Sequence, residues 1–310
     1  MTDVPLLSVI VPVYNEVATL PTVLDAVRAL PVDLELIVID NVSTDGTREL
    51  VASLASEPRT TVYLQPENLG KGSSVRVGLA LARGRWTVVQ DADLEYRPSD
   101  LLGLLARAQE CPGAAVFGSR LLATKPDVPW HHALGRDLLN ALFRWLYRAR
   151  LTDVATCYKL VPTAAAQSLV LSALGFDLDY ELPARLRQAG VEIVELPVWY
   201  DPRTLAEGKK LRWTAGLDAL GALLRAARPL GQPPATLMRG MTVELTAPPF
   251  AAITATVESL VPGGVRVSFE LDSHPARAAV ALSDLSIATS SARAPQLQQH
   301  HTEHHQAAVE

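Results

Sequence analysis

Cysteine is almost absent: Cys111 and Cys157 are the two in 310 residues, far apart and without metal-ligand spacing. That argues against a disulfide framework and fits a reducing compartment. No uncharged apolar run of about 18 residues occurs, so no membrane-spanning helix is expected. The nearest stretch, Trp213 to Leu230, is broken by Asp218, Arg225 and Arg228. A basic excess is missing too. The chain has 28 Lys and Arg against 33 Asp and Glu, a net charge of −5, which points away from nucleic acid as a partner. Met1 to Leu7 is short and acidic with no basic region, so it does not read as a signal peptide. These absences give a cytoplasmic reading. What is present is 48% hydrophobic and 20% charged, the composition of a chain that buries a full core. Its length allows one large α/β domain plus something small.

From Leu7 to about Trp199, short apolar runs alternate with amphipathic stretches. Leu7 to Tyr14 is a continuous apolar run rich in β-branched residues, as expected for a strand covered on both faces. A helical pattern follows, opened by Thr19 and Pro21, with Val23, Leu24, Val27 and Leu30 on one side. Leu34–Ile39, Thr61–Leu64, Trp86–Val89 and Ala115–Phe117 read as further strands. Asp45–Leu54 and Lys71–Arg83 read as helices, the latter closed by Gly84. This alternation predicts an α/β fold, a mostly parallel sheet with helices on both faces. Ligands of such sheets lie outside the carboxyl ends of the strands. After Pro229 the texture changes. Residues 230–239 read as a linker, and 240–289 as a small antiparallel β-barrel-like module, its short segments punctuated by Pro248-Pro249 and Pro262-Gly263-Gly264. Residues 290–310 are polar and unpatterned, a disordered tail on composition. Its His300, His301, His304 and His305 read as solvated.

Asp91-Ala92-Asp93 follows the strand Trp86–Val89. Hard divalent cations take carboxylate oxygens and accept phosphate oxygens as further ligands. A metal that bridges protein and diphosphate stabilises charge on a departing group. Glu95 offers a third oxygen, and an acidic loop after a strand is the plain alternative. The first strand ends in Pro12-Val13-Tyr14-Asn15-Glu16 and the second in Asp40-Asn41-Val42-Ser43-Thr44-Asp45-Gly46-Thr47. Both suit a base and ribose, and the latter also suits a helix N-cap. Asn68-Leu69-Gly70-Lys71-Gly72 opens a helix, where small residues and free N–H groups permit close ligand approach. Its spacing is not that of a P-loop.

Together these segments, in this order and at these separations, resemble a family 2 inverting glycosyltransferase of the A-type nucleotide-sugar fold. Gly118-Ser119-Arg120, Asp153 to Lys159, and Pro202-Arg203-Thr204 through Glu207-Gly208-Lys209-Lys210 resemble the dolichol-phosphate mannosyltransferase-like branch, which includes bacterial polyprenyl-phosphate glycosyltransferases. The resemblance covers about Leu7 to Ala227. It implies inverting transfer of a hexose, from UDP-glucose or GDP-mannose, to a polyprenyl phosphate at the cytoplasmic membrane face. It also implies magnesium or manganese held by Asp91, Asp93 and Glu95. Pro12, Tyr14, Glu16 and Asp40 would meet the nucleoside, and Lys71 and Asp91 the rest of the nucleotide. Asp93, Asp179, Arg203 and Lys209 would form the catalytic set. Asn41-Val42 departs from relatives that carry a second acidic residue and then glycine, which leaves base recognition on Asp40. The intact carboxylate set speaks against a non-catalytic sugar-nucleotide-binding protein.

Asp137 to Arg150 mixes large apolar side chains with Arg144, Arg148 and Arg150. That is the composition of a helix in a membrane interface, and equally of a helix packed on a core. Arg120 and Arg136 are candidates for an acceptor phosphate, because a guanidinium matches its geometry. A phosphate acceptor is already ionised at neutral pH, whereas a soluble or protein-bound hydroxyl would need a general base. Asp177, Asp179 and Glu181 are the candidates for that base. The partner of the C-terminal module is open.

Overall fold

A computed structural model describes residues 4–123, 130–203, 215–228 and 237–287. Lys209, most of the expected linker and the tail after Ile287 lie outside them. Among the described residues the first unit runs β1 (Leu7–Val13), α1 (Leu20–Arg28), β2 (Leu34–Asp40), α2 (Thr47–Ser53), β3 (Thr60–Leu64), α3 (Lys71–Leu81), β4 (Trp86–Val89), α4 (Asp100–Glu110), β5 (Ala115–Ser119) and α5 (Arg120–Ala123). It continues with α6 (Trp130–Tyr147), β6 (Lys159–Pro162), α7 (Thr163–Ala166), α8 (Leu178–Gln188), β7 (Ile193–Pro197) and α9 (Ala215–Ala226).

These strands form one seven-stranded sheet in the order β3-β2-β1-β4-β6-β5-β7. β6 is antiparallel to its neighbours β4 and β5, and the other pairings are parallel. Residues 7–11 of β1 are all buried. Successive side chains point to opposite faces, so both faces of that strand are covered, as its unbroken apolar run predicts. Gly78 explains how closely α3 lies on β1: a Cβ there would come within 2.4 Å of the Ile10 side chain.

The second unit is an antiparallel sheet of β8 (Thr242–Leu245), β9 (Ile253–Val261), β10 (Gly264–Leu271), β11 (His274–Ala281) and β12 (Leu285–Ile287), in the order β11-β10-β9-β8-β12. The expected single strand from Ala279 to Ala288 is instead two, split by a 3₁₀ turn at Leu282–Asp284. β11 and β12 are the outer strands, and no ladder closes between them among the described residues. The module is docked on the catalytic unit. Val170 bridges Ala279, and the buried Arg76 of α3 donates to the carbonyls of Pro248 (3.1 Å) and Ser172 (3.4 Å).

Candidate active site

The parallel strands deliver their carboxyl ends to one edge of the sheet, where a cavity of about 360 Å³ opens. Three turns around it hold non-glycine residues in the left-handed region: Asn15 (φ 53°) after β1, Val42 (φ 63°) after β2 and Leu94 (φ 64°) after β4. For a β-branched residue such as Val42 this is a costly conformation, and such outliers cluster at functional sites. Polar bonds tie the first two turns together. The Asn15 N–H donates to Ser43 Oγ (2.9 Å), and the Thr44 N–H to Asn15 Oδ1 (2.8 Å).

Pro12, Tyr14 and Glu16 line the cavity, as the sequence suggests for nucleoside contacts. Asp40 does not. Its side chain is fully buried and accepts bonds from the Val42 and Ser43 N–H groups and from Arg48 (2.6 Å). The carboxylate caps its own turn, and Asn41 takes the place on the wall. The Asn41 amide in turn holds the loop ahead of α3, donating to Asn68 Oδ1 (2.9 Å) and accepting from the Leu69 N–H (3.2 Å).

Gly70 lets α3 begin where it does. It has φ 98°, and a Cβ would lie 2.6 Å from the Leu174 carbonyl oxygen. That close approach aims Lys71 into the site, where its Nζ lies 2.8 and 2.9 Å from the two oxygens of Asp91. Burial opposes the ammonium, but Asp91 and then Cys157 outweigh it, and the Lys71 pKa stands above its usual value. Burial likewise works against the Asp91 carboxylate, and Lys71 reverses that and holds its pKa low. Lys71 thus neutralises the first carboxylate of the pair.

Asp93 is different. It accepts one bond from the Glu95 N–H (3.1 Å), and burial first, then the charges of Asp91 and Glu95, push its pKa up to about 7. Both oxygens of Glu95 are engaged elsewhere. One oxygen accepts from the Tyr200 hydroxyl (2.9 Å) and the other from the Arg203 N–H (2.9 Å). The expected three-carboxylate ligand set is therefore not assembled. Among the described residues no three His, Cys, Asp or Glu side chains are arranged to hold a metal.

Arg203 reaches the cavity, where it bonds the Asp93 carbonyl oxygen (2.7 Å) and both oxygens of Glu16 (3.2 and 3.0 Å). Arg120 also lines it, gripped by Asp153 through two bonds of 2.7 Å. Arg136 is not on the wall and pairs with Asp137 (3.0 Å). Of the three acidic candidates near α8, Asp179 faces the cavity and pairs with the buried Lys159 (3.1 Å). Asp177 pairs with Arg225, and Glu181 accepts from the Ser172 and Ala173 N–H groups, both structural tasks. Tyr96, Cys157 and Tyr200 on the wall were not singled out by sequence. Cys157 lies in the Asp153–Lys159 segment, but spacing gives no separate signal for the tyrosines.

A parallel-rich sheet in this strand order, with paired carboxylates after its fourth strand, defines the A-type nucleotide-sugar fold. Residues 8–168, just over half of the chain, match the family described as glycosyl transferase family 2, and the chain belongs to that family of glycosyltransferases. It is 28% identical over 211 residues to polyprenol monophosphomannose synthase of Mycolicibacterium smegmatis, covering 65% of this chain and 79% of the relative. It is also 28% identical over 211 residues to undecaprenyl-phosphate mannosyltransferase of Micrococcus luteus, covering 64% and 85%. The fold is shared with a crystal structure of glucosyl-3-phosphoglycerate synthase from Mycobacterium tuberculosis in complex with Mn2+, UDP-glucose and phosphoglyceric acid. There the TM-score is 0.54 and the identity 24%, over 77% of this chain and 83% of that one.

Proposed function

We propose that the enzyme transfers a hexose, with inversion, from a nucleoside-diphosphate sugar to a polyprenyl phosphate at a membrane surface. The observation that carries this reading is how α6 is joined to the cavity. Asn140 of α6 donates to the Thr152 carbonyl (2.7 Å) and accepts from the Val154 N–H (3.2 Å). It thereby anchors the segment whose Asp153 grips Arg120. On the opposite side of the same helix Leu134, Leu138 and Trp145 are exposed, Trp145 by 76%. Leu217, Leu220 and Leu224 of α9 are exposed as well. Arg144, Arg148 and Arg150 are exposed nearby, the charge that anionic headgroups attract. Phe143 and Tyr147 fill the inner face of α6, so core packing and interfacial contact belong to different sides of one helix. No helix among the described residues is long and apolar enough to cross a membrane, which suits peripheral attachment. The names of both curated relatives support a polyprenyl acceptor.

Asp91 and Asp93 fit a divalent cation, magnesium or manganese. The partly buried Asp93 carboxylate forms no ion pair among the described residues, and burial, then the charges of Asp91 and Glu95, raises its pKa to about 7. Oxygens of the donor diphosphate would complete the shell of a hard cation, which supplies charge stabilisation to the leaving diphosphate. Arg203 would add a second positive charge, and Arg120 would hold the acceptor phosphate. An acceptor phosphate oxygen bonds to C1 as the bond from C1 to the diphosphate oxygen breaks, and the nucleoside diphosphate leaves. No proton has to be removed from the acceptor. A hydroxyl acceptor is the second reading, favoured by Asp179 on the wall with Lys159 behind it. There Asp179 would take the hydroxyl proton.

The test is a screen of radiolabelled UDP- and GDP-hexoses with Mn2+, with and without undecaprenyl phosphate. Lipid-extractable label supports the first reading. Donor hydrolysis with no lipid product moves the assignment to the second.

A further inference from the structure

Tyr200 lines the cavity together with Glu95, Arg203 and Arg120. It follows β7 and pairs with Tyr96 through an isolated antiparallel bridge, its ring centroid 5.1 Å from that of Tyr96. Its hydroxyl donates to Glu95 (2.9 Å), whose other oxygen holds the Arg203 N–H (2.9 Å). Its ring face lies 5.0 Å from the Arg120 guanidinium carbon, and Asp153 grips Arg120 through Nε and Nη2. One side chain therefore joins Glu95 and Arg203 to Arg120.

We propose that Tyr200 is a positioning residue for both substrates, its hydroxyl setting Glu95 and the Arg203 backbone and its ring setting Arg120. The proposal rests on the reading of Asp91 and Asp93 as the donor end and Arg120 as the acceptor end. The two functions of the side chain are chemically separable. Phenylalanine keeps the ring under Arg120 and loses the bond to Glu95. Leucine loses both.

The test uses the full chain, with binding of Mn2+–UDP, Mn2+–GDP and undecaprenyl phosphate in detergent micelles each measured by calorimetry. Tyr200→Phe is expected to weaken binding of the preferred Mn2+–nucleotide roughly 10- to 150-fold, the scale of a hydrogen bond to a charged acceptor. Undecaprenyl phosphate binding stays within about twofold, because the cation–π contact remains. Tyr200→Leu weakens both ligands. In a Glu95→Ala background Tyr200→Phe adds nothing to the nucleotide effect, which a general loss of structure would not reproduce. The proposal is overturned if Tyr200→Phe moves both affinities together or neither, or if its effect persists without Glu95. Nucleotide binding without any undecaprenyl phosphate binding in the wild type overturns the acceptor reading and the Arg120 half of the proposal. The Glu95 half is then judged on the nucleotide measurements.

Discussion

Replacing Asp93 with asparagine is expected to stabilise the ligand-free protein at alkaline pH. Burial, then Asp91 and Glu95, raise the Asp93 pKa from 3.8 to about 7, so the folded state holds the proton more tightly than the unfolded chain. The stability this group contributes is complete below about pH 4 and is lost as pH rises through about 7. A shift of about three units corresponds to about 4 kcal/mol. Residual solvent screening and the sharing of charge within the carboxylate cluster reduce that to about 2 kcal/mol. With an unfolding entropy of roughly 2.1 cal/mol/K per residue, Asp93→Asn would melt about 3 °C above wild type at pH 8 and at the same temperature near pH 4. Thermal unfolding of both proteins across this range, with and without Mn2+–UDP or Mn2+–GDP, is the assay. The preferred Mn2+–nucleotide is expected to stabilise wild type at pH 8 far more than the variant. An asparagine variant less stable than wild type at pH 8, or a difference independent of pH, would rule out a raised Asp93 pKa as the cause.

Gly70→Ala places a methyl against the Leu174 carbonyl in a left-handed conformation. It is expected to cost about 1–3 kcal/mol of stability and to weaken Mn2+–nucleotide binding by displacing Lys71, as calorimetry would record. Trp145→Glu should lower the fraction of protein that floats with anionic vesicles several-fold, and unchanged flotation would remove the membrane contact. Arg76→Ala strips the carbonyls of Pro248 and Ser172 of a buried donor. Urea unfolding should register a loss of about 2–3 kcal/mol, and a loss below about 0.5 kcal/mol would show that the C-terminal sheet is not held through this side chain.

Strand positions were legible because buried parallel strands are written as unbroken apolar runs. Trp86–Val89 has the expected bounds, and Thr60–Leu64 and Leu34–Asp40 extend theirs by one residue. The antiparallel insertion of β6 was not legible, since pairing direction leaves no mark on a four-residue run. At the site, residue type and order located Asp91, Asp93, Arg120 and Arg203 around one cavity. Side-chain partners were harder to read. Nothing in the spacing says that Asp40 bonds Arg48 eight residues on, leaving the wall to Asn41, or that Glu95 faces Tyr200 more than 100 residues away. Such pairings are set by tertiary placement of turns, and Val42 with its φ of 63° shows how far one such turn departs from local preference.

A competition in one reaction tests the polyprenyl phosphate acceptor directly. The donor selected by the screen, labelled in its hexose, is supplied with Mn2+, undecaprenyl phosphate in micelles and an equal concentration of 3-phosphoglycerate. Label is expected in the organic phase, coupled to release of the nucleoside diphosphate and abolished in Asp91→Ala. Label retained in a water-soluble glycoside, with the lipid phase empty, would rule out the polyprenyl phosphate acceptor.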